Sequence, residues 1–549
     1  MVEINSNTAH AFTALPTEEQ VEEEEEESSS ITLVGTTDQI LDGLLSKVGY
    51  GLFQKKLLIL CGFGWLADNM WLQTIAIILP RVQDHYDVPD KWIGTLSSSL
   101  FAGMTFGAFF WGTYSDTKGR KVPYTMTLVI TSVFGLLSSF TFNFASLCVT
   151  LFFLGFGVGG NMPTDGALYL EFLPKEYHYL LTFMSVFFSF GAVLASIIGY
   201  LILPKWSCPE TTLEPCDMHT QNNGWRIMLF TVSMVTFVML ALRSLWLKLP
   251  ETPKFLMSQD RHNETIIVLQ DIAKINGGHV HIGKDELPNM RHKYRHTTSD
   301  EEEEGESFDM MESLSSSLNE DGDEASHVLL SNGQHAEEIV VKEKEKTKAF
   351  KLLMSPQWRL TTLLIWSIWT FTSVAYTMFN VFLPKFLETL GFEGEAVPTR
   401  EQVYWDYMIY SLAGVPGSVI ASWMIETRLG RKGTMAMSAF GSSIALFLFS
   451  IISSRVTMVL SSSSVSFLAT LLYAVIYGYT PEVFDTNVRG TAVGTASGLG
   501  RIAGIVSPIL TGILLTINTS LPLYISVIGF AIVGFSVILL PFETRGVSH

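Results

Sequence analysis

Three ionisable residues stand in stretches that otherwise carry no charge. They are Asp68 in "GWLADNMWLQTIAIILP", Asp165 in "GGNMPTDGALYL" and Arg501 in "GTAVGTASGLGRIAGIVSPILTGILLTI". At bilayer depth an arginine costs at least ~2.5–3.5 kcal/mol even on the gentlest insertion scale, so it must face water, a partner or a ligand. A carboxylate held away from water can load and release a proton near neutrality. A guanidinium keeps its charge and attracts a carboxylate, from the protein or from a substrate. The three residues therefore read as a substrate and proton pathway, with Asp68 or Asp165 reaching Arg501 across the interior; a static Asp–Arg structural pair is the competing reading. Trp71, one turn from Asp68, extends the candidate cavity lining together with Tyr376, Asn380 and Tyr473.

Long apolar segments must position these groups. The 549 residues are 48% hydrophobic and only 16% charged, too apolar for a soluble chain of this length. Apolar runs lie near 57–80, 93–114, 122–143, 146–169, 180–204 and 225–249. Six more lie near 359–385, 404–425, 433–452, 456–479, 490–515 and 521–541. Each approaches the ~20 residues a helix needs to cross ~30 Å of hydrocarbon. The expectation is an all-α membrane protein with twelve transmembrane helices in two six-helix bundles, 57–249 and 358–541.

The net charge of −18 belongs elsewhere. Residues 1–56 hold 11 acids against 3 bases, and residues 250–357 hold 22 against 12, which leaves the remainder neutral. The runs "EEQVEEEEEESSS" (18–30) and "TTSDEEEEGESFDMMESLSSSLNEDGDE" (297–324) have too little apolar surface to bury a core. They mark a disordered acidic tail over 1–38 and a largely disordered cytoplasmic linker over 250–357. Residues 39–56 read as an interfacial amphipathic helix with Ile40, Leu41, Leu44, Leu45 and Val48 on one face, and 542–549 as a short tail.

Lysine and arginine gather on the loops that share a side with both termini. Both termini are therefore expected in the cytoplasm, with the chain in the plasma membrane or a vacuolar or other endomembrane. That orientation puts Cys208 and Cys216 of "WSCPETTLEPCDMH" on the side where they can form a disulfide. The chain has neither a phosphate-binding G-x-x-x-x-G-K-[ST] nor a His-Glu-x-x-His zinc motif, which argues against ATP drive and against an enzyme. No cofactor and no metal are expected, and the acidity argues against a nucleic-acid partner.

Short polar motifs recur six spans apart. "GTYSDTKGRK" (112–121) follows the second span and "SWMIETRLGRK" (422–432) the eighth. "LYLEFLPKE" (168–176) follows the fourth and "YGYTPEVF" (477–484) the tenth, while "LPETPKFL" (249–256) follows the sixth and "LPFETRG" (540–546) the twelfth. Matched order of this kind indicates duplication about an axis along the membrane normal. The candidate gating residues are Asp116, Gly119, Arg120, Glu171 and Glu251 in the first half, and Arg431, Glu482, Arg489 and Glu543 in the second.

These motifs resemble the major facilitator superfamily across all twelve spans. "PETPK" and "PFETRG" look like the paired signatures of its sugar-porter branch. "GGNMPTDGALYLEFLP" and "YTPEVFDTNVRGTAVGTASGLGRIAGIVSPIL" are closer still to transporters related to the synaptic vesicle proteins. The resemblance implies a secondary active transporter that moves a small organic solute by alternating access, coupled to protons and functional as a monomer in the bilayer. Arg501 tilts the substrate toward an organic anion; a sugar or an organic cation is the alternative. A non-transporting sensor or trafficking protein that keeps the fold is the alternative function. The resemblance also places Asp116 beside the first turn of the eleventh helix, around Gly490–Val493. There are departures: "TFTSVAYTMFNVFLPKF" (370–386) lacks the paired glutamines of sugar porters, Leu151 stands where they carry an arginine, and Thr427 replaces an aspartate beside Glu426.

Overall fold

The computed structural model describes residues 40–208, 216–217, 221–259, 261–278, 350–389, 398–451, 454–484 and 486–544. The tail 1–38, the run 297–324 and the last five residues lie outside them. A helix over 40–48 (α1) leads into six long helices: α2 (Leu52–Tyr86), α3 (Asp90–Lys118), α4 (Lys121–Ser138), α5 (Phe144–Glu171), α6 (Tyr179–Trp206) and α7 (Gly224–Leu245). Two short helices follow in the linker, α8 (Pro253–Ser258) and α9 (His262–Ile275). The second set is α10 (Arg359–Thr389), α11 (Arg400–Met424), α12 (Gly430–Ile451), α13 (Arg455–Val483), α14 (Thr486–Ile517) and α15 (Leu521–Leu539).

All twelve expected spans are helices, the form that satisfies every backbone N–H and C=O within one segment in hydrocarbon. Ten are apolar enough to cross a membrane by composition alone. The other two, α2 and α11, are more polar because they carry Asp68, Asn69 and Gln73, and Tyr404, Asp406, Tyr407 and Tyr410, into the interior. Small residues allow close packing within a bundle: a Cβ at Gly103 or Gly107 of α3 would lie 1.9 or 2.1 Å from the α5 carbonyls of Phe152 and Phe156.

The two bundles meet where α2 faces α10, α3 faces α14 and α6 faces α11. One end of the molecule carries α1 and residues 540–544 and is called the tail end. The other carries the Cys208–Cys216 disulfide, present as expected with Cα atoms 5.8 Å apart, and is called the disulfide end. Polar contacts between the bundles gather at mid-level and toward the disulfide end, among them Ser98 to the Ile505 carbonyl at 2.7 Å and Ser196 to Ser411 at 2.6 Å. In the tail half of α14, by contrast, Gly490, Gly494 and Gly498 face open space.

The first helix departs from expectation. Leu41, Leu44, Leu45 and Val48 of α1 are buried against protein, in one cluster with Phe53 and Leu57 of α2, Leu256 of α8 and Leu269 and Ile272 of α9. The linker is folded here too. Its α9 contributes an apolar face to that cluster, and Asn276 after its end ties the chain down: Oδ1 accepts the Phe53 N–H at 2.9 Å and Nδ2 donates to Gln54 at 3.0 Å. Lys175 pairs with Asp42 at 2.6 Å, and Tyr50 stacks on Tyr177.

Candidate functional site

At the tail end, the repeated motifs close two matching charge networks. In the first half, Arg120 donates to Glu171 at 3.0 and 3.1 Å and pairs with Asp116 at 2.9 Å. The Glu251 carboxylate accepts the N–H groups of Arg120 and Lys121 at 2.7 and 3.3 Å. Glu251 thereby occupies the free N–H groups that open α4, where the helix dipole favours an anion. Gly119, with φ +98°, makes the turn; a Cβ there would sit 2.6 Å from that carboxylate.

The second half repeats this geometry. Arg431 donates to Glu482 at 2.9 Å, and Glu543 accepts the N–H groups of Arg431 and Lys432, both at 3.0 Å, after Gly430 at φ +64°. Glu426 stands in for the missing aspartate at 3.9 Å from Arg431, a looser pair than Asp116 makes. Among the described residues Arg489 stays out of the network and reaches the Phe484 carbonyl at 3.4 Å. In each network these contacts lie within one bundle. The expected contact between Asp116 and the first turn of α14 is not made among the described residues: Asp116 is exposed and pairs with Arg120, and a Cβ at Gly490 would meet nothing within 4 Å.

At the disulfide end, ion pairs do cross between bundles. Arg81 of α2 donates to both oxygens of Glu388 in α10 at 2.6 Å, and Lys385 of α10 bonds Asp90 of α3 and, at 2.7 Å, Gln83. The signs are reciprocal, so each bundle contributes one cation and one anion. A cleft of about 310 Å³ carrying Asp84, Asp87 and Glu388 opens above them. In the sequence these residues look like ordinary flanking charges.

Between the two ends lies a layer of amides and phenols. Gln73 of α2 donates to Asn69 at 3.2 Å and accepts from Asn380 of α10 at 3.3 Å and from Tyr407 of α11. Tyr410 donates to Asn380 at 2.8 Å, and Tyr376 meets Tyr473 edge-on at 5.5 Å between ring centres. Asn380, Tyr376 and Tyr473 are thus brought together as expected. Gln73, Tyr407 and Tyr410 were missed, although the polar spacing of α2 and α11 is the signal that would find them. Trp71 is not part of this layer. It is wholly buried inside the first bundle, where its N–H donates to Thr236 at 3.1 Å and its ring packs on Gly135.

The intramembrane charges are partnered differently from expectation. Asp165 pairs with Arg243 of α7 at 2.6 Å, both side chains fully buried, so neither Asp165 nor Asp68 pairs with Arg501. Arg243 is reached first because α7 packs in the same bundle, and its single charge looks like a span-end residue in the sequence. Asp68 accepts from Asn161 at 2.7 Å through Oδ1, while Oδ2 is buried without a partner among the described residues. Arg501 is half-buried and crosses to the other bundle, where it meets the Met104 carbonyl at 3.5 Å; it lies close enough to Asp68 and Tyr477 to act on both electrostatically.

Two matched six-helix bundles, joined by ion pairs at the disulfide end around an inner polar layer, form a transporter scaffold. The family profile of the Major Facilitator Superfamily matches residues 58–425 and 398–548. The chain belongs to this superfamily. Relatives within it include MFS siderochrome iron transporter 1 of Ceriporiopsis subvermispora, 32% identical over 91% of this chain and 89% of that protein. Organic cation/carnitine transporter 7 of Arabidopsis thaliana is 30% identical over 93% and 96%. The synaptic vesicle 2-related protein of Pongo abelii is 25% identical over 92% and 81%, in line with the motif resemblance. In fold, the chain is similar to the xylose transporter XylE from E. coli in its inward-open conformation, with a TM-score of 0.62 at 14% identity, covering 90% of this chain and 97% of that one. Superfamily membership makes this a multi-pass membrane protein of a transporter family, not an enzyme.

Proposed function

We propose that the protein carries a small organic anion together with a proton by alternating access, with the tail end facing the cytoplasm. One observation supports this most strongly. A guanidinium without a carboxylate partner among the described residues, Arg501, stands on one bundle, and a buried carboxylate with an open oxygen, Asp68, on the other. A buried charge without a partner is costly. A substrate carboxylate on Arg501 and a proton on Asp68 relieve both charges at once. The bundles can then rock with a neutralised interior. Gln73, Asn380, Tyr407 and Tyr410 supply donors and acceptors that orient the substrate.

The tail-end networks keep each bundle rigid during the exchange. The Arg81–Glu388 and Lys385–Asp90 pairs close the disulfide side and must part for the site to open there. A zwitterion is the second reading. Tyr376, Tyr473, Tyr477 and Trp369 form an aromatic group that suits a quaternary or primary ammonium, and one relative is named for organic cations and carnitine.

The test is uptake of a panel of monocarboxylates, zwitterions and organic cations into proteoliposomes, with and without a pH gradient. Gradient-driven uptake of carboxylates that disappears in Arg501→Ala supports the anion reading. Uptake of simple cations that survives in Arg501→Ala overturns it.

A further inference from the structure

We propose that Asp165 and Arg243 form a second proton station, which passes a proton between Asp68 and the tail side within the first bundle, off the substrate path. The proposal rests on the reading of Asp68 as a proton carrier and extends it.

The geometry begins with the register of α2 and α5, which run antiparallel. Asp68 faces Asn161, and one turn toward the tail end Gly64 faces Asp165: a Cβ at Gly64 would lie 1.8 Å from Asp165 Oδ2 and 2.7 Å from an Arg243 nitrogen. Asn161 and Asp165 are likewise one turn apart on α5, ~5–6 Å between Cβ atoms. The two carboxyl groups therefore occupy successive rungs between the same pair of helices. Each has one oxygen bonded and one oxygen open. Among the described residues, Asp68 Oδ2 and Asp165 Oδ1 are both buried without a partner, as are Thr164 Oγ1, Asn161 Oδ1 and Trp65 Nε1 on the same two helices. Unbonded buried polar atoms are rare, and a cluster of them marks a place for bound water.

Arg243 is the reason Asp165 can change its protonation state. A buried pair that loses one charge normally strands the other. Arg243, however, also donates to the Leu60 carbonyl at 3.0 Å and the Tyr124 carbonyl at 2.5 Å, and its guanidinium lies 4.0 Å from the centre of the Tyr124 ring. Those two carbonyls and the ring still hold its charge when Asp165 is neutral, although its Nε is buried without a partner among the described residues. The charged and titratable groups facing Asp165 are Arg243 from α7, Asp68 and Cys61 from α2, and Tyr124 from α4; Arg501 of α14 acts on Asp68. Two neighbouring carboxyls served by one close cation favour holding one proton between them.

The step moves one proton and breaks no other bond. The Asp68 Oδ2–H bond breaks, a proton passes along water or the Thr164 hydroxyl, and an Asp165 Oδ1–H bond forms. Asp68 is left as the carboxylate, facing Arg501 on the substrate side. Asp165 lies six residues, about 9 Å of helix rise, from Glu171 in the tail-end network, and releases the proton on that side.

The experiment is infrared difference spectroscopy of the purified full-length protein in lipid, following protonated-carboxyl bands as pH is raised, with the proton as the only probe. Wild type should lose two bands. Asp68→Asn should remove one of them; a spectrum unchanged by that substitution sinks the reading of Asp68 itself. In the Asp68→Asn background, one titrating band should persist, move in frequency with Asp165→Glu, and vanish with Asp165→Asn/Arg243→Gln, which removes both charges and so leaves no lone ion in the bundle. Arg243→Gln alone should shift that band to higher pH. If wild type shows the Asp68 band but no band in the Asp68→Asn background responds to either Asp165 substitution, the pair is a structural cross-brace and the second station is excluded.

Discussion

Arg501 carries five N–H donors and spends one of them on a long bond to the Met104 carbonyl, so most of its hydrogen-bonding capacity remains for a ligand. A bidentate carboxylate matches the planar fork; an ammonium in its place does not. Arg501→Lys is therefore expected to weaken carboxylate binding about 10- to 100-fold, the ~1.5–3 kcal/mol of a charged hydrogen bond. Arg501→Ala should abolish carboxylate uptake while the protein still reaches its membrane; direct binding by calorimetry separates the two. An Arg501→Ala protein with wild-type affinity reduces Arg501 to a brace against α3. Asp68→Asn is expected to behave differently, retaining exchange at equal pH on both sides while losing accumulation driven by a pH gradient. Both residues were readable from sequence because a lone charge in an apolar run has few innocent explanations. Their partners were not, because partner choice depends on which helices pack side by side. Arg243 reaches Asp165 from α7 past Gly64 of α2 and the Tyr124 carbonyl of α4, the two helices that separate them, and no local pattern in "LALRSLWLK" announces that.

The elements carry the conformational argument. Helix periodicity and apolar length were enough to find all twelve spans, and the repeated motifs were enough to pair the halves, because each signal is local. Contacts between elements were much less visible. The amphipathic face of α1 was read correctly, but its cover proved to be α8 and α9 rather than lipid, since sequence gives the face and not its partner. Asn276 holds that cover with three hydrogen bonds, to Phe53, Gln54 and the Gly49 carbonyl. Asn276→Ala should lower stability by about 1–3 kcal/mol, the cost of leaving buried groups unbonded, seen as a reduced melting temperature. The disulfide-end latch makes a sharper forecast. Among the described residues, Glu388→Gln leaves Arg81 with Asp84, at 3.2 Å, as its one ion-pair partner and breaks one of the two ion pairs across the bundles. The closed disulfide end should lose population, so a cysteine placed at Asn380 becomes more reactive toward a membrane-impermeant thiol reagent added on that side. Gly94→Ala should act in the same direction, since its Cβ would meet the Pro508 carbonyl at 1.9 Å. Unchanged labelling in both variants removes the latch from the mechanism.

Across the whole molecule, the two halves share one plan with unequal attachments. Each tail-end network uses an arginine, a glutamate ending the fourth helix of its bundle and a second glutamate from beyond the sixth, so duplication is preserved at the level of hydrogen bonds. Among the described residues the first bundle alone carries a folded cover, α1 with α8 and α9, and the acidic segments 1–38 and 279–349 lie outside those residues. The central part of the second segment has too few apolar residues to bury a core, so the transport cycle should not depend on it. Removing residues 297–345 leaves α8, α9 and Asn276 in place and keeps 22 residues, 279–296 and 346–349, between the last described linker residue and residue 350. Fully extended, that length reaches about 70 Å, more than enough to let two bundles rock without strain. The deletion is expected to retain uptake within about twofold of wild type in proteoliposomes at matched protein density, since loop length enters free energy only logarithmically. Melting temperature should also hold, because the apolar cluster around α1 is untouched. A correctly inserted deletion that binds substrate but no longer transports would show that the acidic segment takes part in the motion itself, and the two bundles with their cover would then be an incomplete machine.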